Sequence, residues 1–294
     1  MGVSAGVIAA AAMILLLGMA TGPAPAQSPA PRPLGGLHTW AVYYGAAPEA
    51  AAELARFDLV VLDPARHPPL PAVKRHGTLV LMYVSLGEVN VHHAAYGAIA
   101  GEPWVLGANP NWPEARRLDV RAPAYARWLV EQVAGPAVRA PANGLFLDTA
   151  DTPIELERAD PARFRGMASG VERVVRELRS AYPHAVLVMN GGVALAASVG
   201  PVLDGIAVES VLSNYDFATK TYGRRADADA RRRIETVRRV AAQGLPVLTL
   251  EYAPSDEREW IARLIAASRA ERFVPYVATI DLERVSTVTL SRSP

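Results

Sequence analysis

Two acids each close a short apolar run: Asp148 ends Gly144-Leu-Phe-Leu-Asp148, and Glu209 ends Gly205-Ile-Ala-Val-Glu209. Short apolar runs bounded by turn residues read as strands buried on both faces. A carboxylate on such a strand is costly unless it is paired or used. In a parallel barrel, the carboxyl ends of the strands are where active sites are built. Two carboxylates at that end suit an acid and a nucleophile, or an acid and a base, which is the requirement for cutting a glycosidic bond. A gap of about 5–5.5 Å would mean retention at the anomeric carbon and roughly 6.5–9.5 Å inversion; retention is the expectation. Glu209, behind three apolar residues, is expected to carry a raised pKa and act as the acid, while Asp148 stays ionised if hydrogen-bonded.

Other runs end in polar residues too: Tyr44, Asp63, Glu88, Asp151 just past Asp148, Asn190, and Glu251 with Tyr252. Carboxylates at most of these ends, in a chain of formal net charge +1, make an acidic mouth by placement rather than by bulk charge. Tyr44, Asp63, Glu88, Asp151, Asn190 and Glu251 are expected to bind substrate. The competing reading for each acid is an ion pair or a helix cap, strongest for Asp63 before Pro64 and for Asp151 near a turn. Trp104 and Trp112 would either stack on sugar faces or pin their loop, whereas Trp40 and Trp128 read as core. His92 and His93 are adjacent, so their side chains diverge, and no H-x-H or H-E-x-x-H accompanies them. No metal and no cofactor are expected, since a G-x-G-x-x-G turn and a P-loop are also missing from the sequence.

The elements that must hold these residues alternate. Strand-like runs span residues 38–44, 57–63, 78–86, 144–148, 185–190, 205–209, 245–251 and 273–279. Helix-like stretches span 48–56, 71–75, 123–133, 161–181, 192–199, 226–243 and 255–270. Asp160-Pro161 supplies a cap and a first-turn proline, and Ser255 precedes Glu257 and Glu259. Gly77, Gly144, Gly205 and Gly244 fall in or beside the helix-to-strand turns, where a left-handed residue is useful. Eight strands alternating with seven helices predict an α/β protein, a single (β/α)8 TIM barrel. One long insert, residues 87–121, reads as irregular, and loops of that length are usually functional.

Half of the 294 residues are hydrophobic and a fifth are charged, a globular balance that gives no global field for nucleic acid. Residues 1–26 read as a signal peptide, from the fourteen apolar residues Val7 to Ala20 and the small-x-small site Ala24-Pro25-Ala26. Residues 27–36 read as a flexible leader and 37–294 as the barrel. The apolar stretch is shorter than the roughly 20 residues a span needs, so no stable membrane insertion after processing is expected. The chain has no cysteine, which excludes disulfides and thiol chemistry. The expected location is secreted or periplasmic, and the expected state a monomer.

The motifs Tyr43-Tyr44-Gly45, Phe57-Asp-Leu-Val-Val-Leu-Asp63-Pro64, Tyr83-Val-Ser-Leu-Gly-Glu88, Gly144-Leu-Phe-Leu-Asp148-Thr149, Val208-Glu209-Ser210 and Leu250-Glu251-Tyr252 resemble glycoside hydrolase family 114, the endo-α-1,4-polygalactosaminidase-like barrels. The resemblance covers nearly all of residues 38–279. It implies a (β/α)8 enzyme that cuts α-1,4-linked galactosamine polymers with an acid on the fourth strand and another on the sixth, which fall on Asp148 and Glu209. On that footing Asp148 would be the nucleophile and Glu209 the general acid/base, with Asp63 and Glu88 in the substrate cleft. The implied partner is a cationic amino-sugar polysaccharide, whose ammonium groups would suit an acidic mouth. The segment Ser213-Asn214-Tyr215-Asp216-Phe217 and the insert are where members would differ, and Tyr215 is expected to touch substrate. Two other readings stand beside this one: a barrel that binds exopolysaccharide without cutting it, and a hydrolase of another glycan.

Overall fold

The computed structural model describes residues 34–139 and 141–290. The segment expected to be a signal peptide and most of the expected leader therefore lie outside the described residues. Eight parallel strands form one nearly closed barrel sheet: β1 (Trp40–Tyr43), β2 (Leu59–Leu62), β3 (Leu79–Ser85), β4 (Gly144–Asp148), β5 (Val186–Asn190), β6 (Gly205–Glu209), β7 (Val247–Tyr252) and β8 (Val274–Ala278), paired in that order. Helices on the outside connect them, so the chain is a single (β/α)8 TIM barrel. All eight strand-like runs became strands. β1, β2, β5 and β7 are buried at every position, which is why these runs show no polar alternation.

Large rings fill the barrel interior. Trp40 on β1 meets Phe146 on β4 at 6.2 Å and Tyr276 on β8 at 6.2 Å. All three are nearly fully buried, each contributing roughly 1.5–3 kcal/mol or more by leaving water. The Trp40 indole N–H donates to the Val274 carbonyl at 2.9 Å, bridging the seam between β8 and β1. Outside, helix Met167–Ala181 buries Met167, Gly170, Val171, Val174, Val175 and Leu178, one stripe at helical spacing.

Several elements depart from the expectation. The helix expected over 161–181 is broken: Asp160 caps Pro161–Phe164 through the Arg163 amide, and Gly166 then turns left-handed (φ 90°) before Met167. The Glu157 carboxylate caps the new start by accepting from the Gly166 and Ala168 amides. Glu157 belongs to an unforeseen helix, Asp151–Ala159, which buries little beyond Pro153 and so shows no apolar stripe. The last helix starts at Arg258, not at 255. Gly77 and Gly244 do turn left-handed, but Gly144 does not; a Cβ there would lie 1.9 Å from the Val186 carbonyl oxygen. The insert is not irregular. It holds a three-stranded antiparallel sheet in the order Glu88–Asn90, Ala115–Leu118, Val105–Ala108. A hairpin, Ser213–Asp216 with Thr221–Arg224, follows β6. Among the described residues, no helix is long and apolar enough to cross a membrane.

Candidate active site

Strand register decides which side chains face the mouth. Phe146 points inward, because it meets Trp40 across the barrel. Side chains on one strand alternate, so Asp148 points inward as well. Ser85 pairs with Asp148 and Tyr83 with Phe146; Val188 pairs with Phe146, which turns Asn190 inward. Asn190 pairs with Ala207, two residues before Glu209, and Leu250 pairs with Glu209, two before Tyr252. Tyr83, Ser85, Asp148, Asn190, Glu209 and Tyr252 thus all face inward near the carboxyl ends of their strands, in a polar layer above Phe146. Tyr44, with the same parity as Trp40, joins it and meets Tyr83 edge-to-face at 5.4 Å.

The centre of this layer is one amide. Asn190 Nδ2 donates to Asp148 Oδ1 at 2.8 Å and to Glu209 Oε1 at 2.5 Å. The two carboxylate oxygens are therefore at most 2.8 plus 2.5 Å, or 5.3 Å, apart. Tyr252 donates its hydroxyl to the other Glu209 oxygen at 2.7 Å, and Asp148 accepts from the Tyr83 hydroxyl and the Thr149 amide. Burial, then the charge of Asp148, raises the Glu209 carboxyl from 4.5 to about 7. Burial raises Asp148 too, opposed by hydrogen bonds from Thr149, Asn190 and Tyr83. The proton of the pair accordingly sits on Glu209. Tyr44, Tyr83 and Tyr252 are pushed well above the ordinary phenol range, chiefly by burial and then by the nearby carboxylates, so they remain donors.

Both acids are followed by a left-handed residue that is not glycine: Thr149 (φ 57°) and Ser210 (φ 52°). For a β-branched residue this is a true outlier, of a kind that costs on the order of 1–3 kcal/mol and needs support. Thr149 Oγ1 lies 2.7 Å from Ser85 Oγ and accepts from the Gly87 amide at 2.8 Å, and the Leu86 amide donates to the Asp148 carbonyl at 2.8 Å. Gly87 must be small, since a Cβ there would lie 2.5 Å from the Thr149 carbonyl oxygen. On the other side, Arg225 Nε donates to the Ser210 carbonyl at 2.9 Å, and Arg233 donates to the Glu209 carbonyl at 3.2 Å. Each catalytic candidate thus sits on a pinned turn, Asp148's held by the end of the neighbouring strand β3 and Glu209's by two arginines that follow the hairpin.

The other expected site residues divide. Asp151 opens its helix beside the pair and accepts from the Gly192 amide at 3.0 Å; burial raises its pKa. Asp63 holds its own turn by accepting from the Ala65 and Arg66 amides. Glu88, 6% exposed, accepts from Asn109 Nδ2 and Thr152 Oγ1, both at 2.7 Å. Glu251 has the outward parity of Thr249, whose hydroxyl reaches Ser268 on the outer helix. Its carboxylate is buried and accepts from the amides of Val211, Leu212 and Ser213 and from Ser213 Oγ. Tyr215 lies in the hairpin against Phe217 and Tyr222. Trp104 is buried against Tyr125 and Trp128 and pins its loop, while Trp112 is exposed. Tyr83, Thr149, Arg225 and Arg233 were not foreseen as site residues; Tyr83 was legible from parity, two residues before Ser85. Among the described residues, no group of three or more potential ligands is placed to hold a metal.

The model of glycoside-hydrolase family GH114 matches residues 20–293. The glycoside hydrolase domain of PelA from Pseudomonas aeruginosa is similar at 26% identity and a TM-score of 0.75, covering 85% of this chain and 98% of its own. Ega3 of Aspergillus fumigatus, solved in complex with galactosamine, shares the fold at 13% identity and a TM-score of 0.62, over 83% of this chain and 92% of its own. No curated protein matches.

Proposed function

The chain belongs to glycoside-hydrolase family GH114, and from that membership and its mouth we propose that it cleaves α-1,4-linked galactosamine polysaccharide with retention of configuration. That it is a glycoside hydrolase follows from the family; the polymer and the stereochemistry are our reading. The observation that carries it is the shared Asn190 amide, which keeps the two carboxylate oxygens no more than 5.3 Å apart, short of the roughly 6.5–9.5 Å that an inverting enzyme needs for its water. Glu209, protonated near neutrality, gives its proton to the leaving oxygen. Asp148, ionised, attacks the anomeric carbon and forms a covalent glycosyl-enzyme. Glu209, now a base, takes a proton from water, which releases the sugar and restores the starting state. Tyr83 and Tyr252 hold the two carboxyl groups throughout.

The amino-sugar reading draws on the galactosamine bound by Ega3 and on the carboxylates at the mouth, where Asp151 and Asp63 would meet substrate ammonium groups. The apolar stretch Val7 to Ala20 supports export to the periplasm or medium. Digesting a de-N-acetylated galactosamine polymer and weighing the products by mass spectrometry tests the reading. Wild type should release oligomers and Asp148→Asn none, at unchanged circular dichroism. A wild type that releases nothing, or an Asn variant that cuts normally, would sink it.

A further inference from the structure

Two of the strand-end carboxylates work away from the catalytic pair. Glu88 ties the insert after β3 to the helix after β4, through Asn109 and Thr152. Glu251 ties the start of the hairpin after β6 to β7, through residues 211–213. A buried charge is costly unless its lone pairs are used, and both groups use theirs to fix a loop. Each loop then carries an aromatic ring to its tip, Trp112 shortly after Asn109 and Phe217 shortly after Ser213. The rings meet edge-to-face at 5.4 Å and 76°. They stay 46% and 40% exposed, the large apolar side chains left open among the described residues. Behind them the aromatic line continues from Phe217 to Tyr215 at 5.1 Å and on to Tyr222 at 5.0 Å. The Tyr222 hydroxyl accepts from the Ile280 amide just past β8.

The position of this contact follows from topology. The loops leave the carboxyl ends of β3 and β6, and β4 and β5, which bear Asp148 and Asn190, lie between those strands. Tips that meet from β3 and β6 therefore bridge the rim of the mouth on the side of the catalytic pair. We propose that Trp112 and Phe217, backed by Tyr215, form a stacking platform for a sugar unit of the polysaccharide chain, away from the unit being cut. This rests on the polysaccharide reading above. A galactose-configured ring presents a continuous C–H patch on one face, and that patch fits an exposed aromatic surface. Because Glu88 and Glu251 hold the loops in place beforehand, little ordering is needed when the chain binds.

The test uses the full chain carrying Asp148→Asn, so that polymer binds without being cut. Trp40, Trp104, Trp128 and Trp260 are buried, so acrylamide quenching reads Trp112. Saturating galactosamine polymer should shield that emission. Trp112→Ala and Phe217→Ala, each at an exposed position, should weaken polymer binding about tenfold, and Phe217→Trp should restore it. Unchanged quenching, or Ala variants that bind as tightly as the parent while wild type still cuts the polymer, overturns the platform and leaves the hydrolase reading standing. A wild type that neither binds nor cuts the polymer removes both.

Discussion

Replacing Asn190 with alanine removes the donor shared by the two carboxylates, and its effect can be worked out from the geometry. Two charges no more than 5.3 Å apart repel by at least about 3 kcal/mol at an effective dielectric of about 20. Together with burial, that accounts for Glu209 standing near 7 even though Tyr252 and Asn190 hold it down. In the working state, Asn190 donates one bond to ionised Asp148 and one to neutral Glu209. Each ionisation step converts one neutral hydrogen bond into a charge-assisted one, a gain of about 1–1.5 kcal/mol. Without Asn190 that gain is lost at both steps, so both carboxyls should titrate about one pH unit higher. The account predicts a bell-shaped pH profile of kcat/KM whose two limbs both move up by about one unit. Its maximum should fall about 10- to 100-fold as the carboxyls lose their fixed spacing. The assay is release of reducing ends from galactosamine oligomers between pH 4 and 9. If Asn190 merely touches substrate, KM rises and the limbs stay put, and that result would refute the argument.

Thr149→Val keeps the branched shape but leaves the Gly87 amide without its acceptor, so it should destabilise by about 1–3 kcal/mol and lower kcat more than it changes KM. Thr149→Ser should recover most of both; a Val variant with wild-type kcat would show that the pinned turn does not position Asp148. Glu209 also makes stability depend on pH. Its folded pKa is raised, so the folded chain holds the proton more tightly, and the contribution is complete below about 4.5 and disappears as pH rises to about 7. That span corresponds to about 3 kcal/mol, so chemical denaturation at the two ends should show wild type losing about that much more stability than Glu209→Gln. Equal losses in both proteins would contradict the raised pKa.

Strand positions were legible because a strand buried on both faces must be a continuous apolar run, as in Leu59–Leu62 and Val186–Asn190. Asp148 and Glu209 stood out for the same reason, as charges where packing gives them no place. Parity was harder to see. Glu251 and Tyr252 are neighbours at the end of β7, yet only Tyr252 faces the mouth; a one-residue step reverses the side, and the end of a run does not reveal which residue is inward. Glu88 and Glu251 were recognised as unusual acids, but the loop amides and side chains that engage them come from segments distant in sequence. Helix Asp151–Ala159 and the small sheet of the insert left no periodic signal, because they bury too little apolar surface. The left-handed Thr149 and Ser210 are fixed by Ser85, Gly87, Arg225 and Arg233, a tertiary arrangement that local propensity does not encode.

The central claim is that Asp148 and Glu209, held together by Asn190, cut with retention. Proton NMR of the first products tests it most directly, recorded before the new reducing ends mutarotate. Cleavage of an α-1,4-linked galactosamine oligomer should give the α-anomer first, with the β-anomer growing in later. A β-anomer that appears first would mean inversion and would contradict the roles assigned to the pair.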